Sequence, residues 1–336
     1  MKAIMLRETG EPSQLKLQDI EKPKPGPNDV IVRLQAASLN RRDLMVVKGQ
    51  YPGMKLPAIL GSDGAGKVVE VGGEVQNVFI GDEVIINPGI NWGNDKDKKS
   101  TDFQVLGNPT DGTFAQYVKI PVENVYAKPT HLSWEEAAAL PLAGLTAYRA
   151  LITKGKVKKG ETVLIPGVGG GVATFLVQFA AALGAKVYVT LSKEEKIEKA
   201  KEFGAVGGVN YTADDWSEKL EKLTGGIDLS IDSIGGDSFS TLVSLGKIGS
   251  RIVSFGATRG AVPNLFLPSM TVKEMSLIGS TMGSPQDFAE MLKFVEEHQI
   301  HPILDETLSL EQLPEGLFKM EHGENFGKIV LTIPQD

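Results

Sequence analysis

The chain is 336 residues long, carries a formal net charge of −7 and contains no cysteine. The acidic balance argues against nucleic acid or an anionic membrane surface as a partner, and the missing thiols exclude disulfides, thiolate nucleophiles and cysteine-bound zinc. No apolar run approaches the roughly 20 residues that span a bilayer, and no charged-then-apolar leader opens the chain, so a soluble cytoplasmic protein of two domains is expected.

The first 125 residues hold short runs rich in Val and Ile: Lys2–Leu6, Asp29–Leu34, Gly66–Val71, Glu83–Asn87 and Phe114–Ile120. Punctuation such as KPKPGPND and PGINWGND separates them, which predicts an irregular β-domain. The patch NDKDKKSTD at Asn94–Asp102 reads as a solvated loop. Its Asp95, Asp97 and Asp102 could in principle hold a hard cation, although solvated surface carboxylates are commoner.

The segment Thr162–Ala185, TVLIPGVGGGVATFLVQFAAALGA, then joins a β-rich apolar run, a glycine cluster and an amphipathic helix without a gap. Val172, Phe175, Leu176, Phe179 and Leu183 form one apolar stripe. Gly169, Gly170 and Gly171 would let the backbone approach a pyrophosphate, with the free N–H groups of the helix N-terminus facing it. Read on Val168, Gly170 and Ala173, the dinucleotide fingerprint has a valine and an alanine in its outer places, so an ordinary strand-to-helix loop is the alternative for this motif alone. The downstream segments favour the cofactor reading: strand Lys186–Thr190, a helix in SKEEKIEKAKEFGA, strand Asp228–Asp232, a helix near Phe239–Leu245, and strands Ser250–Phe255 and Met275–Ser280. That alternation predicts a doubly wound parallel sheet. The tail, a helix at Asp287–Glu297 and a final strand in GKIVLTI, is expected to return to the N-terminal domain.

Taken together, GSDGAGKVVEVG, GDEVI, DGTFAQYV, AAALPLAGLTAYRAL, the glycine turn and NFGKIVL resemble the medium-chain dehydrogenase/reductase superfamily from end to end. The resemblance implies an α/β protein. Its partly open β-barrel (GroES-like) catalytic domain would take residues 1–125 and 285–336, its doubly wound parallel Rossmann domain residues 126–284, with the active site in the cleft between them. The three zinc-ligand positions of the family fall on Asn40 in NRRD, Ser62 in GSD and Leu142, none of them a ligand. The loop around Ile90–Gly107 lacks the structural cysteines, and His131, His298, His301 and His322 lie outside these motifs. A metal-free site is therefore expected.

Within the superfamily the chain is most similar to the zinc-free NADPH:quinone oxidoreductase branch, which implies hydride transfer to a quinone or an α,β-unsaturated carbonyl. Asn40 and Tyr51 match polar pocket positions of that branch, and Ser62 sits where a zinc ligand would project. Asn40 also suits the turn before RRDL, Tyr51 a surface aromatic, Asp43 a structural acceptor and Trp92 a loop anchor or pocket lining. A second tyrosine common in the branch is replaced by Met45. The resemblance sets the cofactor against Thr146, Gly169, Gly170, Gly171, Val172, Phe255, Met282 and Asn325.

Ser192 stands where an NAD-specific acid would be expected. A hydroxyl followed by Lys193 and Lys196 suits a 2′-phosphate and points to NADPH, although Glu194 and Glu195 dilute the positive field, and the resemblance sets Tyr211 at a position flanking the adenine phosphate. A homodimer through the edge strand Met275–Ser280 is expected. An enoyl-thioester reductase of the same fold and a non-catalytic NADPH-binding sensor are the rival readings.

Overall fold

The computed structural model describes residues 1–335 and divides into two compact units, Met1–Ala143 with Ser284–Asp336, and Gly144–Gly283. Among the described residues no helix is long and apolar enough to cross a membrane.

In the first unit the strand Asp29–Ser38 is the hub. Its run of buried Val30, Ile31, Val32 and Leu34 favours the extended chain. It pairs antiparallel with Asp63–Val71, with Tyr117–Pro121 and with the C-terminal strand Lys328–Thr332. The register sets Ser38 opposite Asp63 on one side and opposite Val330 on the other. Three segments far apart in sequence thus end side by side. A mixed apolar cluster including Ile4, Val32, Leu34, Phe114, Leu313 and Ile329 packs against this sheet.

The division between the units falls after Ala143, later than the expected 125/126. The reason is pairing: Val125–Ala127 bonds to Glu83–Ile86 in the first unit's sheet, and the helix Trp134–Ala139 packs on Asp29–Ser38 and Asp63–Val71. The other boundary lies at Gly283/Ser284, where Ser284 caps the helix Pro285–Glu297 by accepting from the Asp287 N–H.

The second unit is a six-stranded parallel sheet. Its strand order is Ala205–Asn210, Lys186–Leu191, Thr162–Pro166, Ile227–Asp232, Gly246–Ser254 and Ser276–Gly279. This 3-2-1-4-5-6 arrangement places a topological switch between Thr162–Pro166 and Ile227–Asp232. The strand AVGGVN and the helix Trp216–Thr224 go unread in the sequence, because Gly207 and Gly208 weaken the β signal. A side chain at Gly208 would meet the Val189 side chain at 2.7 Å, so glycine is what allows the neighbouring strand to approach. Of the expected helix stripe, Phe175, Leu176 and Phe179 are buried, whereas Val172 and Leu183 are only half-buried at the ends of Gly171–Ala182.

Candidate active site

Two groups of residues carry chemistry, one in each unit. The first is built where the strand Asp29–Ser38 gives way to the short helix Arg41–Val47. Asn40 is the N-cap of that helix, and its N–H donates to Asp43 Oδ2 at 2.8 Å. Asp43 is therefore the structural acceptor expected of it. Burial pushes its carboxyl up to about 6, against the pull of Arg42.

The Asn40 side chain is 7 % exposed and is held between two charges. Its Nδ2 donates to Asp63 Oδ2 at 2.8 Å, and its Oδ1 accepts from Lys328 Nζ at 2.9 Å. Asp63, fully buried, also accepts from Ser38 Oγ, from Lys328 Nζ at 2.9 Å and, on Oδ1, from the Leu142 N–H at 2.8 Å. Lys328 completes its bonds on the Leu39 carbonyl at 2.7 Å. The strand register explains this arrangement, since Ser38 lies between Asp63 and Val330.

Ser62 is fully buried too. Its hydroxyl donates to the Leu106 carbonyl at 2.8 Å and accepts from Arg42 Nη1 at 2.7 Å. A serine has one O–H to donate. Ser62 therefore has none left for a bound acceptor, which corrects its expected place among the catalytic residues. Tyr51 is half-buried, with the Arg42 guanidinium 4.7 Å from the centre of its ring.

The donor set at the three ligand positions does not fit a zinc ion. It offers a carboxamide, a hydroxyl and a leucine side chain in place of thiolates and imidazoles. The Asn40 oxygen and the Ser62 oxygen each receive a hydrogen bond from a cationic side chain, Lys328 and Arg42. A dication there would face two positive charges. Among the described residues no group of three or more His, Cys, Asp and Glu side chains is placed to hold a metal ion. Asp95 serves the loop, accepting from the Asp97 N–H at 2.9 Å, and Trp92 is its anchor, buried and donating to the Asp95 carbonyl at 2.9 Å.

The second group lies at the carboxyl ends of the parallel strands. Gly167 to Gly170 follow Thr162–Pro166, Ser192 follows Lys186–Leu191 and Tyr211 follows Ala205–Asn210. Phe255 follows Gly246–Ser254, and Met282 comes just after Ser276–Gly279. Ligands of open parallel sheets bind at this edge. Gly167 has φ +69°, a left-handed conformation that favours glycine, and its N–H donates to the Thr190 carbonyl. The fingerprint is thus read from Gly167 and Gly169 to Val172, one place earlier than the sequence reading on Val168. A side chain built at Gly170 would meet nothing within 4 Å, and Gly170 caps Gly171–Ala182 without a side-chain bond. Open space before uncapped N–H groups fits a dinucleotide phosphate.

Ser192 is exposed, Lys193 lies 3.9 Å from Glu195, and Lys196 is half-buried. The Tyr211 N–H donates to the Leu191 carbonyl, which ties Tyr211 to the strand end beside Ser192. The exposed Arg259 guanidinium sits 5.7 Å from the Tyr211 ring centre, a cation that sequence reasoning missed because it lies in another loop. Asp232 was missed as well. It accepts from the Ile234 and Gly235 N–H groups to close the turn after its strand, and burial raises its pKa. Thr146 is buried in the helix Pro141–Tyr148. Asn325 belongs to the first unit, where its Nδ2 donates to the Gly327 carbonyl at 3.0 Å.

Comparison with known proteins gives consistent matches. Residues 26–130 match the family model of the alcohol dehydrogenase GroES-like domain, and residues 171–297 that of the zinc-binding dehydrogenase. A zinc-type alcohol dehydrogenase-like protein of Leptosphaeria maculans is 36% identical over 95% of this chain and 94% of its own. An acryloyl-coenzyme A reductase of Sulfurisphaera tokodaii is 31% identical over 98% of this chain and 99% of its own. The crystal structure of an NAD-dependent alcohol dehydrogenase superposes with a TM-score of 0.95 at 39% identity, covering 99% of this chain and 100% of the other. A quinone oxidoreductase of Pseudomonas syringae pv. Tomato DC3000 gives a TM-score of 0.83 at 28% identity, with 98% and 99% covered.

Proposed function

The chain belongs to the medium-chain dehydrogenase/reductase superfamily, and we propose that it is a zinc-independent reductase of a quinone or an α,β-unsaturated carbonyl that uses NADPH. The observation that carries this reading is the pair of buried cations, Lys328 and Arg42, bonded to two of the three ligand positions. Without a Lewis acid to hold an alkoxide, alcohol oxidation is disfavoured and reduction of an activated acceptor is the easier chemistry.

A bound NADPH would supply the hydride. The chain's own part is to hold the cofactor, orient the acceptor oxygen and exclude water. Gly167 to Gly171 and Val172 would hold its pyrophosphate, Phe255 and Met282 its nicotinamide, and Ser192, Lys196 and Tyr211 its 2′-phosphate. Thr146 and Asn325 remain cofactor contacts in this reading. Tyr51 donates its hydroxyl to the acceptor oxygen, and Asn40 adds the one amide N–H left over from its bond to Asp63. The likeness to an acryloyl-coenzyme A reductase supports an acceptor with a conjugated carbonyl, and brings enoyl thioesters into that class. The alcohol dehydrogenase named among the neighbours favours NAD and an alcohol instead. The donor set at Asn40, Ser62 and Leu142 weighs against that second reading.

The protein is further proposed to be a homodimer. The outer edge of Ser276–Gly279 pairs with no strand among the described residues. Leu277 on it is 46% exposed, and Phe266, Leu267 and Val272 on the preceding segment are exposed too. An apolar open edge is an aggregation hazard unless it is covered.

The deciding experiment is oxidation of NADPH and NADH with quinones, enals, enones and enoyl thioesters, run beside alcohol oxidation and elemental metal analysis. Turnover of a conjugated acceptor by chelator-treated protein is expected. Loss of activity on chelation with recovery on added zinc would overturn the reading.

A further inference from the structure

Arg42 is a charged residue that a merely space-filling role does not explain. It is 8 % exposed, and its three hydrogen bonds all go to neutral acceptors: Ser62 Oγ at 2.7 Å, the Leu106 carbonyl at 2.9 Å and the Asn108 carbonyl at 3.2 Å. Its buried Nε has no hydrogen-bond partner. The Asp43 carboxylate is 3.9 Å from Nη1, beyond hydrogen-bond reach. Burying a guanidinium without a bonded carboxylate is unfavourable, so an apolar residue would be the better filler.

What the guanidinium does is join separate pieces of chain. Tyr51 follows the Arg41–Val47 helix, Ser62 immediately precedes the strand Asp63–Val71, and Leu106 and Asn108 follow the short strand Gln104–Val105. All of them meet on Arg42, three through hydrogen bonds and Tyr51 through its ring face at 4.7 Å. We propose that Arg42 is a positioning residue, which holds the Tyr51 ring so that its hydroxyl is aimed at the acceptor oxygen. The fork of N–H groups and the planar face together do what ligand bonds to a metal ion would do, fixing several segments around one cationic centre. The inference rests on Tyr51 as the oxygen donor of the proposed function.

A kinetic double-mutant cycle tests it, with 1,4-benzoquinone as the acceptor probe. Tyr51→Phe should lower kcat on the order of 10²-fold, as loss of one oxyanion donor does. Arg42→Lys keeps the charge but loses the planar face and the fork, and should lower kcat about tenfold with the KM for NADPH unchanged. In the Tyr51→Phe background the same change should cost less than about twofold, because the hydroxyl it aims is gone. An equal tenfold loss in both backgrounds overturns the inference and leaves the functional reading standing. Full activity of Tyr51→Phe overturns Tyr51 as the oxygen donor, and the inference with it, while the zinc-independent reductase reading still stands or falls on the chelation experiment. Thermal unfolding and NADPH binding check that each variant is folded. If Arg42→Lys does not fold, Arg42→Gln, planar and neutral, carries the same cycle.

Discussion

Replacing Lys328 by methionine leaves the Asp63 carboxylate buried without its ammonium, and the first unit should lose about 4 kcal/mol of stability. The two charges are 2.9 Å apart, with side chains 3% and 0% exposed. At an effective dielectric of ~20 such a pair attracts by about 6 kcal/mol. Desolvation of the ammonium offsets part of this, and breaking a buried pair from one side costs about 3–5 kcal/mol. Ser38, Asn40 and the Leu142 N–H keep donating to Asp63, which holds the loss near the middle of that range. Methionine is unbranched and close to lysine in length, so packing along the stem is retained. In a Trp216→Phe background, urea titration followed by tryptophan fluorescence reads this unit through Trp92 and Trp134. The double variant Asp63→Asn/Lys328→Met removes the stranded charge and should recover at least about 1 kcal/mol. A loss below about 1 kcal/mol in the single variant, or no recovery in the double, would refute the reasoning.

Asp43 is raised by burial from 3.8 to about 6, so the folded state binds its proton more tightly than the unfolded chain does. The group therefore costs nothing below the unfolded value and destabilises by about 3 kcal/mol above the folded one. The stability of the wild type relative to Asp43→Asn should fall by that amount as the pH rises between these two values, and parallel profiles from denaturant titrations would contradict it. Ser192→Asp places an acceptor for the ribose diol where a 2′-phosphate is proposed to sit. Catalytic efficiency with NADPH should drop about tenfold or more and that with NADH should rise, a steady-state measurement that fails the prediction if the ratio does not move. Leu277→Glu puts a charge on the open edge of Ser276–Gly279. Light scattering should show a dimer for the wild type and a monomer for the variant. A monomeric wild type at micromolar concentration defeats the proposal.

Much of the second unit was legible in the sequence, because its signals act over a few residues. The apolar strand before a glycine turn, the 3.6-residue period of Phe175, Leu176 and Phe179, and the alternation of later strands and helices all report local backbone preference. The resemblance placed Asn40, Ser62 and Leu142, and the structure shows what each one touches. Two local features still escaped. The left-handed φ of Gly167 is a property of the folded turn and set the fingerprint one place earlier, and the glycine pair in AVGGVN hid a strand that only its neighbour demands.

What the tertiary structure alone decided is the use of the polar residues in the first unit. Lys328 and Asp63 stand 265 residues apart and meet because Ser38 pairs with Asp63 on one side and Val330 on the other. Nothing in the segment NRRD separates Arg42 from its neighbour Arg41, yet the fold buries Arg42 against Ser62, two backbone carbonyls and the Tyr51 ring. Local composition determines which segments extend or coil. It does not say which charges lose their water, because desolvation depends on what the closed chain brings to their other side, and that is settled only when distant strands have paired.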